Sequence, residues 1–306
     1  MQRNLKEYLI ISFKGLAMGA ADAVPGVSGG TIAFISGIYE ELISTISNIK
    51  GSLFKTLFKS GFKTFWQELN GNFLLALLSG IIISFVSFMK LAKYLLEYHP
   101  ILIWSFFFGL IVASIYFVGK QITKWNLVTI LALIIGAGIA FYISKLPASD
   151  ANDNPWFLFL AGAIAICAMI LPGISGSFIL IILGAYKTLS HAIHDINIKK
   201  LIIFVSGAVV GLLSFSHVLK WLFKNYHNTT LALLTGFIFG SLNKVWPWKN
   251  TLTWHTNAKG IQSPLLQESI SPFSFQGDNH FIFSIILMIL GFLTIFILER
   301  VGSKQA

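Results

Sequence analysis

Ala21-Asp22-Ala23-Val24-Pro25-Gly26-Val27-Ser28-Gly29-Gly30-Thr31 comes back in altered form 147 positions later, as Ala168-Met169-Ile170-Leu171-Pro172-Gly173-Ile174-Ser175-Gly176-Ser177-Phe178. Proline, glycine, serine and glycine hold register between the copies (25/172, 26/173, 28/175, 29/176), as do Gly37/Gly184, Tyr39/Tyr186 and Leu42/Leu189. Proline stops a helix, because it lacks an N–H and restricts the residue before it. A Pro-Gly-x-Ser-Gly break inside apolar sequence, present twice, predicts two broken helices facing each other within a membrane. Backbone freed of hydrogen bonds is tolerated at that depth only where it is buried in protein or lines a polar cavity. Paired breaks at corresponding positions of two halves point to a binding site between them.

The composition agrees with a membrane setting. Hydrophobic residues make up 55% of the chain, charged residues 11%, and the mean hydropathy is +0.76, whereas a soluble domain carries about 25% charge. Apolar segments fall near 8–23, 26–46, 73–96, 101–118, 126–145, 156–171, 173–190, 201–223, 229–246 and 281–298. Beyond the breaks the repeat continues at an offset of 127: Ser79-Gly80 with Ser206-Gly207, Ser87-Phe88 with Ser214-Phe215, Lys93 with Lys220, Gly109 with Gly236 and Ser114 with Ser241. The expected fold is an all-α polytopic membrane protein of two inverted repeats. Each repeat is a re-entrant or broken helix hairpin followed by three transmembrane helices. The first repeat covers 1–146 and the second 156–306.

The first repeat holds extra residues after its hairpin. There Leu53, Phe54, Leu57, Phe58, Phe62, Phe65 and Trp66 recur at helical spacing with Lys55, Lys59 and Lys63 between them. That pattern predicts a basic amphipathic helix at about 50–70, lying on an anionic leaflet; a soluble partner-binding helix is the alternative. The first 23 residues imitate a signal peptide, but Lys14 interrupts the apolar run and the segment leads straight into a repeated motif, so it is read as the first membrane segment.

The net charge of +10 admits nucleic acid, anionic lipid or an anionic substrate as partner. Only Arg3 and Arg300 are arginines and the lysines sit between apolar runs, which favours lipid headgroups and topology over nucleic acid. An odd number of crossings per half gives the halves opposite orientation. The densest short basic loops then fall inside with both termini cytoplasmic, and the segment 247–280, with Trp246, Trp248 and Trp254 suited to an interface, falls outside. Cys167 is the single cysteine, so neither a disulfide nor a cysteine metal site is expected.

A helix starting after Gly-Val-Ser-Gly-Gly-Thr presents unpaired N–H groups and a positive dipole end, which suit an anion. The candidate phosphate ligands are Gly26, Ser28, Gly29, Gly30 and Thr31 in the first half, and Gly173, Ser175, Gly176 and Ser177 in the second. Small residues in such a motif also serve close helix packing, the competing explanation. Asp22 precedes the first break and has Met169 opposite it in the repeat. It is a candidate for charge or proton coupling, with Lys14 as a partner across the hairpin; a local cap on the broken helix is the other reading. Lys90 and Lys93 align with His217 and Lys220 and are candidates for cationic support, although lysines near helix ends also snorkel to headgroups. No enzyme signature is present: there is no metal spacing and no Walker loop, and the only acid near His191 and His194 is Asp195. No cofactor is expected.

The run Gly19 to Ala33, with Gly37-Ile38-Tyr39-Glu40 after it and Leu171-Pro172-Gly173-Ile174-Ser175-Gly176-Ser177 in the second half, resembles the bacterial polyprenyl-phosphate (undecaprenyl-phosphate) transporters, the PopT family. The resemblance covers essentially the whole chain. It implies a multi-pass protein of the bacterial cytoplasmic membrane that returns undecaprenyl phosphate, the lipid carrier of cell-wall glycan assembly, from the outer to the inner leaflet. The partners it implies are that lipid and the surrounding membrane; a second copy of the chain is left open. A small-anion channel or a proton-coupled anion exchanger is the rival reading of the same residues.

Overall fold

The computed structural model describes residues 3–24, 27–149, 152–256 and 262–303; Pro25, Gly26, Lys259 and Lys304 lie outside them. Helix α1 (Leu5–Asp22) starts at an Asn4 cap whose side chain accepts the Glu7 N–H. The chain then turns back through α2 (Gly29–Ile35) and α3 (Tyr39–Ser47). The second half repeats this order with α8 (Pro155–Ile170), α9 (Gly176–Ile182) and α10 (Ala185–His194). Each turn between the two short helices uses one left-handed glycine, Gly37 at φ +73° and Gly184 at φ +74°, a conformation that costs glycine little. The axes of α9 and α10 differ by 108°.

Each hairpin is tied back to the residues that precede it. Arg3 donates to both carboxylate oxygens of Glu41, at 2.5 and 2.7 Å, and the Asn70 amide adds a third bond to Glu41 at 3.0 Å. In the second half Asp153 accepts from the Thr188 hydroxyl at 2.9 Å and pairs with Lys200 at 3.1 Å. Thr188 is the register mate of Glu41. The Thr188 hydroxyl and the Lys200 ammonium hold the Asp153 carboxyl below its ordinary pKa. Such a group adds stability above its unfolded-state pKa of about 4, and the contribution is lost as pH falls through the lower folded-state value. The expected result is that below about pH 4 the melting temperature drops more steeply for the parent than for Asp153→Asn. Asp153 is largely exposed, so the difference is small; superimposable profiles would show that the tie contributes nothing.

Further helices follow each hairpin. In the first half these are α4 (Gly51–Glu68), α5 (Gly71–Tyr98), α6 (Pro100–Gly119) and α7 (Leu127–Lys145); in the second, α11 (Ile198–Gly240), α12 (Leu242–Val245) and α13 (Phe281–Ser303). Among the described residues, α5, α6, α7 and the run Ile198–Val245 are long and apolar enough to cross a membrane, and the bent pair α9–α10 makes a fifth candidate. The kink of α11 at Tyr226 (φ −135°, ψ 46°) matches the joint between α5 and α6 at His99 (φ −135°, ψ 49°), the same place in the 127-residue register. The amphipathic helix is present as α4, kinked at Gly61, with Phe54, Phe58 and Phe62 exposed.

Close packing repeats with the sequence. A Cβ on Gly15 would strike the Leu77 carbonyl and one on Gly80 the Ser12 carbonyl, which seals α1 against α5. Gly162 against Phe204 and Gly207 against Phe159 seal α8 to the first part of α11 at equivalent positions. The remaining helices cross over. Gly109 and Gly291 bring α6 against α13 at Met288 and Phe106, while Gly236 and Gly136 bring the end of α11 against α7 at Leu133 and Leu233. Small residues let backbones approach where the surrounding lipid is as apolar as the side chains.

Segment 247–280 carries an element absent from the sequence reading. Strands β1 (Lys249–Thr256) and β2 (Gln262–Ser269) pair antiparallel. Trp248, just before β1, is 1% exposed, and its indole N–H donates to the Asn279 carbonyl at 2.9 Å.

Candidate functional site

In the first half the start of α2 is already satisfied. Asp22, the last residue of α1, accepts the Gly29 N–H at 2.7 Å, and the Ser28 hydroxyl accepts the Gly30 N–H at 3.2 Å. The Lys14 ammonium donates to the Ser36 carbonyl, the C-cap of α2, at 2.7 Å. Eight residues of α1 rise about 12 Å and the seven of α2 span about 10.5 Å, so Asp22 and Lys14 reach opposite ends of the antiparallel short helix. An acid at the positive end and a base at the negative end complement its dipole. The two side chains therefore make no ion pair with each other: each finds its partner in the backbone of α2, with Asp22 as a cap.

The two breaks touch. The Ser28 hydroxyl donates to the Met169 carbonyl at 3.3 Å, and the Gly173 N–H donates to Thr31 Oγ1 at 2.9 Å. A Cβ on Gly30 would lie 2.6 Å from the Ile170 carbonyl oxygen. Thr31 is fully buried, and its hydroxyl holds the turn at Gly173, which adopts φ +84°. Ser28 thus meets the opposite backbone rather than Ser175.

The second break is open. No side chain caps α9; Ser175 and Ser177 share a hydrogen bond between their hydroxyls at 2.9 Å. Beside them lies a small recess of about 20 Å³ whose wall includes Ser144, Gly173, Ser175, Phe178, Ser241 and Lys244. The Lys244 ammonium sits 3.9 Å from the centroid of the Phe178 ring. Behind it, Lys249 donates to the Lys244 carbonyl at 2.6 Å and lies 3.9 Å over the Trp104 ring. Burial, with the Lys244 charge nearby, holds the Lys249 amine well below the ordinary lysine range.

Residues 18–263, which contain both breaks, match the family described as undecaprenyl phosphate translocase-like. The chain belongs to that family. A Vibrio cholerae protein named polyprenyl-phosphate transporter is 46% identical over 308 residues, 99% of this chain and 100% of its own length. A Staphylococcus aureus protein of the same name is 32% identical over 252 residues, 76% of this chain and 84% of its own. No solved structure matches the chain significantly. With its run of membrane-length helices, this family member is a multi-pass membrane protein.

Of the residues singled out by sequence, Ser28 to Thr31 and Gly173 to Ser177 gather at one junction, while Gly26 lies outside the described residues. Lys90, Lys93, His217 and Lys220 do not line the recess. Lys90 and Lys93 are exposed on α5, His217 Nδ1 is 2.6 Å from the Leu213 carbonyl, and Lys220 donates to Asn48 at 2.9 Å. None of the four takes part in the hydrogen bonds that join the two breaks. The cations near the second break are Lys244 and Lys249, which sequence reasoning placed among ordinary loop lysines. Their signal was the density of Trp246, Trp248 and Lys around the end of an apolar run.

Proposed function

We propose that this protein transports polyprenyl phosphate between the leaflets of the bacterial cytoplasmic membrane. The observation that carries the reading is the meeting of the two Pro-Gly-x-Ser-Gly breaks at one polar junction, in a chain related over 99% of its length to a polyprenyl-phosphate transporter. Carrying a lipid phosphate through about 30 Å of hydrocarbon requires the charge to be shielded while the tail stays in lipid. Ser175, Ser177 and the backbone from Gly173 to Gly176 are the first ligands of the phosphate. Ser28, Gly29, Gly30 and Thr31 join only when Asp22 releases the Gly29 N–H, since Asp22 occupies the place an anion would take.

Two inverted repeats rocking about this junction alternate its access, and the matched glycine seams and the equivalent kinks at His99 and Tyr226 support that architecture. With both termini cytoplasmic, α4 rests its exposed phenylalanines and lysines on the inner leaflet, the β1–β2 side faces out, and net movement runs from outer to inner leaflet.

The test is a proteoliposome assay with a fluorescent polyprenyl phosphate, alongside flux of inorganic phosphate and chloride. Translocation of the lipid, with Ser175→Ala plus Ser177→Ala weakening its binding by about tenfold or more, is the expected outcome. Anion flux without lipid translocation would replace the reading with a soluble-anion pathway.

A further inference from the structure

The recess beside the second break carries charge that the rest of the molecule leaves uncompensated. Arg3, Lys200 and His227 each face an acid, Glu41, Asp153 and Glu40 respectively. Among the described residues no carboxylate forms an ion pair with Lys244 or Lys249. Phe178 lies under the Lys244 ammonium and Trp104 under the Lys249 amine instead. An aromatic face holds a cation through its quadrupole without cancelling the charge, so Lys244 keeps its attraction for an outside anion. In the 127-residue register Lys244 falls on Phe117 and Lys249 on Ile122, so the charge is built on one side only.

A second and larger recess, of about 190 Å³, adjoins the first. Its wall includes Leu146, Pro147, Phe178, Ile181 and Ile182, so Phe178 is common to both. A cationic recess joined to an apolar one has the form of an amphiphile with an anionic head and a hydrocarbon stem. It is not what a free anion requires.

We propose that Lys244 is the ammonium that binds the phosphomonoester head of the lipid on the β1–β2 side of the protein. Lys249 positions it through its backbone carbonyl, and the recess beyond Phe178 receives the first hydrocarbon units. The assignment deepens the transport reading and rests on it.

The experiment measures binding of polyprenyl phosphate, of the unphosphorylated polyprenol and of inorganic phosphate to the full chain in nanodiscs. Lys244→Met and Ser144→Asp, which sets a carboxylate in the same recess, should each weaken lipid-phosphate binding by about tenfold or more, while Lys244→Arg stays within about threefold of the parent. Polyprenol and inorganic phosphate should bind the parent far more weakly than the joined molecule. Parental affinity in either Lys244→Met or Ser144→Asp would overturn the Lys244 assignment and leave the transport reading intact. Inorganic phosphate binding as tightly as the lipid, and lost in Lys244→Met, would make this a free-anion site and overturn the lipid assignment. A parent that binds no polyprenyl phosphate would overturn the transport reading itself. Should Lys244→Met fail to fold, Ser144→Asp and Lys244→Arg decide the matter.

Discussion

Gly30→Val is expected to abolish transport while leaving an inserted, folded chain. A side chain there would press on the carbonyl oxygens of Ile170, 2.6 Å from the new Cβ, and Met169, 3.0 Å away. Both belong to the last turn of α8, so no flexible side chain can swing aside. The bonds Ser28–Met169 and Thr31–Gly173 flank the same spot, and a wedge there breaks both. Overpacking of this kind costs about 1–3 kcal/mol, which lowers the melting temperature by several degrees but is survivable in a protein of this size. Gly30→Ala should be intermediate. Gly138→Ala, where the new methyl meets open space, serves as control and should flip lipid normally. Parental flipping by Gly30→Val would show that contact between the breaks is dispensable.

Asp22 separates two roles through two substitutions. Asp22→Ala leaves the Gly29 N–H without its acceptor and should cost about 1–3 kcal/mol of stability, with transport falling in step. Asp22→Asn keeps an oxygen for that N–H and removes only the charge. Its expected behaviour is near-parental thermal stability, retained binding of polyprenyl phosphate and loss of gradient-driven flipping, because the group that carries the proton is gone. Normal flipping by Asp22→Asn would remove charge handling at this position from the mechanism and leave a plain helix cap. Equal loss of binding and stability in both variants would point the same way.

Much of this architecture could be read from spacing. The 147-residue offset placed both breaks, and the 127-residue offset placed the glycines that seal α5 and α11, because close backbone contact tolerates so few residue types. The cap reading of Asp22 was also accessible, since an acid before a broken helix has an N–H within reach. The destination of Lys14 was not. Its partner is the carbonyl of Ser36, and a backbone acceptor leaves no mark in side-chain identity. Lys244 was hidden for a related reason: a lysine at the end of an apolar run looks like one that snorkels, and only the fold reveals Phe178 beneath it. The β-hairpin had a local signal in Thr251-Leu252-Thr253-Trp254, where β-branched and aromatic residues favour strand, but reading 247–280 as an outer loop passed over it.

The crossing of the last helices has a bearing on how the chain is made. Helix α7 packs against the end of α11, and α6 against α13, so neither half contains all the neighbours its own helices need. At about 5–20 residues per second, α7 waits several seconds in the bilayer for its partner to be synthesised, and α6 waits longer for α13. During that interval the glycine grooves at Gly136 and Gly109 are filled by lipid or by the insertion machinery. The molecule therefore gains its final form only when the last helix arrives.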